Sequence, residues 1–170
     1  SKQAKAKANR LRKKKVKKWE QWGGMVQRGF CKTLKLYRLK PNKSVKRAPG
    51  PGAMSRRDWE PIAKRDIQNK KVILHSDGAR AYKMAVPGVV HDNVVHKKKK
   101  VKIGNKMVWV RPKFAKLVTH RLPGLRKSVK VKAGTQIIDR FWEHLRSHLK
   151  YCVRTPGSTT LKNKVRSGQF

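Results

Sequence analysis

Acidic residues are scarce in this chain. Its 170 residues include 47 Lys and Arg but only 8 Asp and Glu, which leaves a net charge of +39. Most basic side chains therefore have no acidic partner within the chain, and their mutual repulsion opposes compaction. A polyanion removes that repulsion, and binding it releases the counterions that surround its phosphates. The composition predicts a nucleic acid as the main partner.

Long apolar segments are lacking too. No stretch is apolar for long enough to span a bilayer, and no long helical pattern is apolar on one face and basic on the other. We therefore expect no membrane partner, although a membrane surface is also a polyanion. The chain has no glycine-rich phosphate-binding motif and no Ser or Cys nucleophile set, so we expect no cofactor and no small-molecule substrate.

Cysteine is nearly absent, with only Cys31 and Cys152 in the chain. These two residues form neither a C-x-x-C motif nor a disulfide framework. We interpret both as small buried apolar groups in a reducing compartment. Since the sequence also carries no secretory signal, we expect a protein that is not secreted.

Charge and apolar content divide the chain into an arm, a domain and a tail. Residues 1–18 contain ten Lys or Arg and no acid, which predicts an arm that is disordered when free and orders on nucleic acid. A solvated tail or a nuclear-localisation signal is the alternative. Residues 19–151 are predicted to form one domain, within which residues 97–135 are a long basic insertion. Residues 152–170 are predicted to be a basic tail without its own fold.

The domain is predicted to begin with two strands. Order should start near Trp19, followed by strands at residues 21–28 and 30–39 that are joined at Gly29. Residues 41–54 contain Pro-Gly-Pro-Gly and are predicted to be a loop.

A helix follows the predicted loop. Asp58 is the expected N-cap, Pro61 lies in the expected first turn, and the helix should end near Asn69. Its apolar stripe consists of Trp59, Ile62, Ala63 and Ile67.

The middle of the domain reads as a strand that presents a carboxylate. Residues 71–75 (KVILH) are predicted to be a buried strand that delivers Asp77 at its carboxyl end. A short helix at residues 80–85 and extended segments at 89–90 and 94–95 should follow.

The insertion and the last helix complete the pattern. Val108, Val110 and Phe114, with Gly104-Asn105 before them, predict a β-ribbon with its turn at Gly104-Asn105. A helix is predicted at residues 136–151. The order of elements indicates an α/β fold with a mixed sheet flanked by helices.

Four segments, in this order, resemble ISXO-type insertion-sequence transposases. They are residues 22–29 (WGGMVQRG), 72–82 (VILHSDGARAY), 88–96 (GVVHDNVVH) and 134–142 (GTQIIDRFW). That family belongs to the DDE superfamily, so the resemblance implies an RNase H-like domain across residues 19–151. Family chemistry uses a carboxylate cluster that holds two metal ions in line with a phosphodiester.

The carboxylates that this resemblance implies are incomplete. Asp77 matches the family's second acidic position, whereas Gln136 and Asp139 stand where many members carry Asn and Glu. Residues 1–19 contain no acid, and Glu20 lies too close to the Trp-Gly motif to serve as the first Asp. We therefore expect no catalytic activity, because Asp77, with Asp139 in place of the family's Glu and no first Asp, cannot hold a pair of metal ions. A first Asp outside this chain would restore a Mg²⁺-dependent enzyme.

Structural roles are the alternative for these acids. Asp77 is interpreted as a leftover that caps the short helix after it. Asp139 and Glu143 lie four residues apart beside Arg146, which is typical of surface ion pairs.

The six histidines do not form a recognisable zinc site. His91 and His96 have no further Cys or His pair at ligand spacing. His144 and His148 are four residues apart on the predicted last helix, where they would face phosphate or solvent. We expect no metal site.

Three clusters of Lys and Arg are predicted to bind nucleic-acid phosphates. The first, in the arm, consists of Lys13, Lys14, Lys15, Lys17 and Lys18. The second, at the start of the insertion, consists of Lys97, Lys98, Lys99, Lys100, Lys102 and Lys106. The third consists of Arg121, Arg126, Lys127, Lys130 and Lys132. Trp19, Trp109 and Phe114 lie beside basic residues and either stack on unpaired bases or belong to the core.

The leading hypothesis is a structural RNA-binding protein built from an inactive transposase-derived domain. RNA is favoured over DNA because acid depletion throughout the chain suits phosphate on many sides, as inside a large ribonucleoprotein. We expect an rRNA-binding ribosomal component with neighbouring ribonucleoprotein subunits, in a mitochondrial or other organellar ribosome. The rival is a DNA-binding transposase or a domesticated nuclear DNA-binding factor. A chaperone or scaffold for acidic proteins is a third possibility.

Overall fold

The structure is a computed structural model that describes residues 16–96, 98–122, 127–151 and 155–169. These residues form ten strands and three α-helices, so the predicted α/β class is confirmed. Within them the strands pair two by two, in four antiparallel pairs and one parallel pair, rather than as one continuous sheet. The chain divides into a terminal unit, Ser1–Ala53 with Phe141–Phe170, and a central unit, Met54–Arg140.

The terminal unit contains the predicted hairpin. Strands β2 (Trp22–Gln27) and β3 (Phe30–Arg38) pair antiparallel. Gly29 in the turn has a φ of 83°, a left-handed conformation that glycine adopts without steric cost. The prediction that Cys31 is buried is wrong, because this residue lies exposed on β3. Cys152 lies outside the described residues.

A second strand pair in the terminal unit was not predicted. Strand β1 (Val16–Trp19) pairs antiparallel with β4 (Asn42–Val45). Order therefore begins before Trp19, and part of the predicted loop at residues 41–54 is a strand. The Trp19 indole N–H donates to Ser44 Oγ at 2.6 Å, and Lys17 Nζ lies 4.1 Å from the Trp19 ring centroid. Pairing across 25 residues leaves no periodic signal in either short segment.

The C-terminal segment contains a helix, so the prediction of a tail without its own fold is wrong for part of it. Helix α3 (Thr159–Ser167) is capped by Ser158, whose side chain accepts from the Leu161 N–H. Leu161 and Val165 lie one turn apart and are buried against Leu145. Two apolar residues in a basic segment suffice here because a partner helix covers them.

Glu20 fixes the C-terminal segment to the hairpin. Its carboxylate is 4% exposed and accepts from the Arg38 guanidinium at 3.1 Å and the Trp22 indole at 3.0 Å. The backbone N–H of Gly157 donates to the same carboxylate at 2.5 Å. Burying a carboxylate is tolerated when its oxygens are satisfied in this way.

The central unit begins with helix α1 (Arg56–Asp66). Its N-cap is Ser55 rather than Asp58: the Ser55 hydroxyl donates to the Asp58 carboxylate at 2.6 Å and accepts from the Asp58 N–H at 3.3 Å. The cap lies three residues earlier than predicted because Ser55 and Asp58 satisfy each other. Pro61 consequently lies in the second turn. The predicted apolar stripe is confirmed, since Trp59, Ile62, Ala63 and Ile67 are all buried.

A parallel strand pair follows. Strands β5 (Val72–Ser76) and β6 (Val89–Asn93) flank a 3₁₀ helix at Arg80–Lys83. These elements agree with the predictions at residues 71–75, 80–85 and 89–90. The predicted second extended segment at residues 94–95 is not a separate strand, and Val94 is buried just after β6.

The basic insertion forms two hairpins. Strands β7 (Lys99–Ile103) and β8 (Lys106–Val110) pair around the predicted turn at Gly104-Asn105. Strands β9 (Lys116–Arg121) and β10 (Ser128–Ala133) form a second hairpin that the sequence did not predict.

Helix α2 (Gln136–His148) follows the insertion. It ends three residues earlier than predicted. Its apolar residues Phe141, Trp142 and Leu149, the last just beyond the helix, pack around the Leu145 cluster.

Candidate nucleic-acid interface

The outer face of the β9–β10 hairpin is basic. The antiparallel register pairs Arg121 with Ser128, Thr119 with Lys130 and Leu117 with Lys132, and all six residues are exposed. Cross-strand partners project from the same side of a sheet, so the register brings three predicted phosphate-binding residues onto one face. Lys130 and Lys132 stand roughly 7 Å apart along the strand, twice the rise per residue.

The inner face of the same hairpin is covered in part, with Lys116 and Val129 exposed on it. His120 and Ala133 are buried, and Val118 and Val131 are half-buried. The hairpin therefore has a definite orientation, with Val118, His120, Val131 and Ala133 toward the unit's interior and Arg121, Lys130 and Lys132 toward solvent, together with Leu117.

A buried carboxylate holds this orientation. Asp92 on β6 is 4% exposed; its Oδ1 lies 2.7 Å from His75 Nδ1 on β5, and its Oδ2 lies 2.8 Å from His120 Nε2 on β9. Each histidine donates a ring N–H to one carboxylate oxygen, which fixes both imidazole tautomers. Asp92 thereby links the β9–β10 hairpin to the parallel pair, and sequence reasoning missed it. The only signal was an acid in a strand of a very basic chain.

The other face of the parallel pair carries a Ser–His contact. The Ser76 hydroxyl donates to the Asp77 backbone carbonyl at 2.8 Å, so His91 Nε2, also at 2.8 Å, donates to the Ser76 oxygen. Burial lowers the pKa of His91, an effect that the nearby Asp92 charge opposes and His75 reinforces. His91 is therefore neutral at pH 7. Its role is structural, because its ring N–H bonds to Ser76 on the neighbouring strand.

The β7–β8 hairpin differs from its neighbour because both of its faces are exposed. On one face Lys100 pairs with Trp109 and Lys102 with Met107, and Lys100 Nζ lies 5.1 Å from the Trp109 ring centroid. The opposite face carries aliphatic residues between two lysines. Its members are Lys99, Val101, Ile103, Lys106, Val108 and Val110.

Four further residues that were predicted to bind phosphate are exposed outside these two faces. Lys17 and Lys18 lie exposed on β1, Lys98 lies exposed just before β7, and Lys127 lies exposed just before β10. The other predicted contacts, Lys13, Lys14, Lys15, Lys97 and Arg126, lie outside the described residues.

The three positions interpreted from the sequence as vestigial, Asp77, Gln136 and Asp139, each make a hydrogen bond within the protein. Asp77 is exposed beyond β5 and accepts from the Ala79 N–H at 2.9 Å. Gln136 donates to the Phe114 carbonyl at 2.8 Å, and Asp139 accepts from the Thr135 hydroxyl at 2.8 Å. No group of three His, Cys, Asp or Glu side chains suited to a metal ion occurs in the part of the chain that the structure describes.

Asp77 also influences a neighbouring phenol. Burial, and secondarily the Asp77 charge, raises the pKa of Tyr82 to about 12. The Tyr82 ring packs edge-on against Trp59 with a centroid distance of 4.8 Å. Asp77 itself is exposed, three residues before the 3₁₀ helix that carries Tyr82.

His144 and His148 lie on one face of α2. Their rings stack with centroids 6.5 Å apart, and His148 Nε2 lies 3.3 Å from Ser167 Oγ of α3. Since the Ser167 hydroxyl donates to the Lys164 carbonyl, His148 donates to Ser167. His148 thus contributes to the docking of α3.

Comparison with protein-family models, with curated proteins and with solved structures finds no match to this chain. No α-helix within the described ranges is long and apolar enough to cross a membrane.

Proposed function

We propose that this protein is a structural nucleic-acid-binding protein whose phosphate-binding surface is the outer face of β9–β10. The observation that carries the proposal is the register of this hairpin, which puts Arg121, Lys130 and Lys132 on one exposed face. The buried or half-buried His120, Val118, Val131 and Ala133 lie on the opposite face. Phosphate contacts of this kind position a protein on a nucleic acid without reading its sequence.

The distribution of acids supports the proposal. The sequence contains no acid between Asp92 and Asp139, a span that includes both hairpins of the insertion. Seven of the eight carboxylates in the chain accept a hydrogen bond or ion pair from the protein itself; these are Glu20, Asp58, Glu60, Asp66, Asp77, Asp92 and Asp139. Acids thus occur where the fold uses them, and the sequence of the insertion contains none. Such a surface favours a polyanion over any neutral partner.

RNA is the partner that we favour, in the form of rRNA within an organellar, for example mitochondrial, ribosome. A surface with few acids on any side suits phosphate in several directions, as in the interior of a ribonucleoprotein. The resemblance of residues 19–151 to ISXO-type transposases makes an RNase H-like, transposase-derived origin part of this proposal. In this proposal Asp77, Gln136 and Asp139 have structural roles, and each makes a hydrogen bond within the protein.

Sedimentation of the endogenous tagged protein through a high-salt sucrose gradient tests the proposal. We expect it to travel with a ribosomal subunit, and we expect the variant with Arg121→Gln, Lys130→Gln and Lys132→Gln to shift toward the free fractions. A control with Lys40→Gln, Lys70→Gln and Lys83→Gln has the same net charge, changes exposed residues elsewhere and should stay with the particle. Sedimentation of the unmodified protein alone or with DNA would refute the ribosomal role.

The alternative function, a DNA-cutting transposase, is favoured by one observation: Asp77 is an exposed carboxylate just beyond the carboxyl end of a parallel strand. Divalent-metal-dependent cleavage or joining of DNA that disappears in Asp77→Ala, and that survives in the exposed-carboxylate control Glu143→Gln, would establish that alternative. Absence of cleavage with Mg²⁺ or Mn²⁺ supports the structural role.

A further inference from the structure

One tryptophan of the chain differs from the others in its surroundings. Trp109 is 60% exposed on strand β8. By contrast, Trp59 is buried, and Trp22 and Trp142 pack against the Leu145 cluster. Trp19 donates its indole N–H to Ser44. An exposed indole on a regular strand contributes little to folding, because its apolar surface stays in contact with water.

Lysines surround this indole on the same face of the ribbon. Lys100 is the direct cross-strand partner of Trp109, and its Nζ lies 5.1 Å from the ring centroid. Lys102 pairs with Met107, which is two residues from Trp109 and projects from the same face. The face therefore combines a flat aromatic surface, a polarisable thioether and two cations within the span of two cross-strand pairs.

This combination matches the chemistry of unpaired nucleotides. A nucleobase presents a flat π surface that stacks on an indole, and its flanking phosphates attract ammonium groups. In a duplex the same base surfaces are occupied by neighbouring base pairs, so an indole on a ribbon cannot stack on them without opening the helix. The outer face of β9–β10, in contrast, carries no aromatic residue; besides its basic side chains it presents Thr119, Ser128 and the aliphatic Leu117.

We propose that the Trp109 face of the β7–β8 hairpin binds an unpaired base of single-stranded RNA. Trp109 stacks on the base, and Lys100 and Lys102 contact the phosphates on either side. This inference rests on the proposed nucleic-acid-binding function. It adds that the two hairpins bind different parts of the nucleic acid. The β9–β10 face binds backbone phosphates of any strand, and the β7–β8 face selects single-stranded segments.

The test measures the affinity of the full chain for two fluorescein-labelled RNAs, a short unstructured single strand and a duplex of the same length. We expect Trp109→Ala to weaken binding to the single strand by about tenfold, the effect of losing one base–aromatic stack. Binding to the duplex should change by less than about twofold, because phosphate contacts are retained. Trp109→Phe keeps an aromatic ring and should restore most of the single-strand affinity. A single-stranded DNA of the same sequence distinguishes base stacking in general from a requirement for RNA.

Lysine variants distinguish the roles within the face. The plot of log affinity against log salt has a negative slope, and Lys100→Gln with Lys102→Gln should reduce its magnitude on single-stranded RNA by about 1.4. That change corresponds to the loss of two phosphate contacts. Trp109→Ala should leave that slope unchanged. Equal loss of single-strand and duplex affinity in Trp109→Ala, or no loss of either, overturns the stacking proposal while the binding of nucleic acid stands. If the unmodified protein binds neither RNA in a salt-dependent manner, the proposed function fails together with this inference.

Discussion

The two hairpins of the basic insertion have similar sequences and different surroundings. Each contains one strand in which lysine alternates with aliphatic residues, β7 and β10, and each contains a directly paired Val–Val couple, Val101 with Val108 in one and Val118 with Val131 in the other. The first couple is exposed, whereas the second is half-buried on the covered face of its hairpin. The same alternation can therefore produce an anchored ribbon with one functional face or a ribbon with two exposed faces.

A buried polar link distinguishes the β9–β10 hairpin from the β7–β8 hairpin. His120 of β9 reaches Asp92 of β6, and Asp92 also accepts from His75 of β5. Strands β7 and β8 carry no residue that makes a comparable buried polar contact among those that the structure describes. A strand pair alone is marginal in water, so the contact of one face decides whether a hairpin is held in place.

Removal of the Asp92 carboxylate is expected to have the largest effect on this comparison. Asp92→Ala leaves the ring N–H groups of His75 and His120 without their acceptor in a buried site, which should lower the free energy of unfolding by about 2–5 kcal/mol. Urea denaturation followed by circular dichroism measures the change. Hydrogen exchange should show that β9–β10 amides lose more protection than those of β7–β8.

Asp92→Asn is the matched control for that experiment. Its amide oxygen still accepts from one histidine, and its NH₂ group can donate to the other in the opposite tautomer. We expect a smaller loss than in Asp92→Ala. A loss below about 1 kcal/mol in Asp92→Ala would show that Asp92 does not anchor the hairpin.

The next largest effect concerns nucleic-acid binding by the outer face of β9–β10. Replacing Arg121, Lys130 and Lys132 with Gln removes three phosphate contacts. The negative slope of log affinity against log salt should therefore decrease in magnitude by about 2–3, for single-stranded and for duplex RNA. Fluorescence anisotropy across a salt series measures this slope. The variant with Lys40→Gln, Lys70→Gln and Lys83→Gln should keep the slope near that of the unmodified protein. Equal slopes for the two triple variants would mean that binding depends on total charge and not on this face.

Acid should destabilise the β5–β6 strand pair, to which the β9–β10 hairpin is linked, before it affects the β7–β8 hairpin. Burial lowers the pKa of His91 in the folded protein, so as the pH falls below the usual value near 6.5 the unfolded chain takes up a proton that the folded chain resists. The stabilising effect of neutral His91 is thus present above that pH and is lost as the pH falls through the window below it.

Thermal denaturation between pH 7.5 and 5.5 measures the acid effect, and those limits bracket roughly one unit on each side of the ordinary histidine pKa. His91→Gln removes the titrating ring and keeps a side chain that can bond to Ser76, so its melting temperature should depend less on pH. An unchanged pH dependence in His91→Gln would assign the acid sensitivity to other groups.

The smallest expected effect compares the two valine couples directly. Val118→Ala should lower the free energy of unfolding by about 1 kcal/mol, because it removes half-buried methyl groups. Val101→Ala should cost less than about 0.5 kcal/mol, as do most changes at exposed positions. Equal costs would indicate that the β7–β8 hairpin also packs against another surface in solution.

Several local elements of the fold were predictable from the sequence. The turns at Gly29 and Gly104, the apolar stripe of α1 and the β5 strand with Asp77 after it all depend on residues close together in the chain. The pairing of β1 with β4 and the docking of α3 were missed, because each depends on a partner far away. Glu20, for example, accepts from a backbone N–H that is 137 residues away.

The candidate site was predictable in its chemistry and not in its geometry. Charge alone indicated phosphate binding at Arg121, Lys130 and Lys132, and it also indicated Lys99 and Lys106, which the structure places on the aliphatic face of β7–β8. A run of lysines on an extended segment has two faces, and the pattern does not say which face is covered. Trp109 illustrates the same point, since a tryptophan beside lysines fits a core or a stacking surface equally well until its exposure is known.

By itself the sequence determined the partner class that we propose, since a net charge of +39 is a property of composition and does not depend on folding. It also determined the hairpin turns and the helical stripes, which follow from local backbone preferences. Only the tertiary structure decided which hairpin is anchored and which residues face outward. The physical reason is distance along the chain: the Asp92–His120 contact joins residues 28 positions apart, and its free energy exists only once β6 and β9 are packed together.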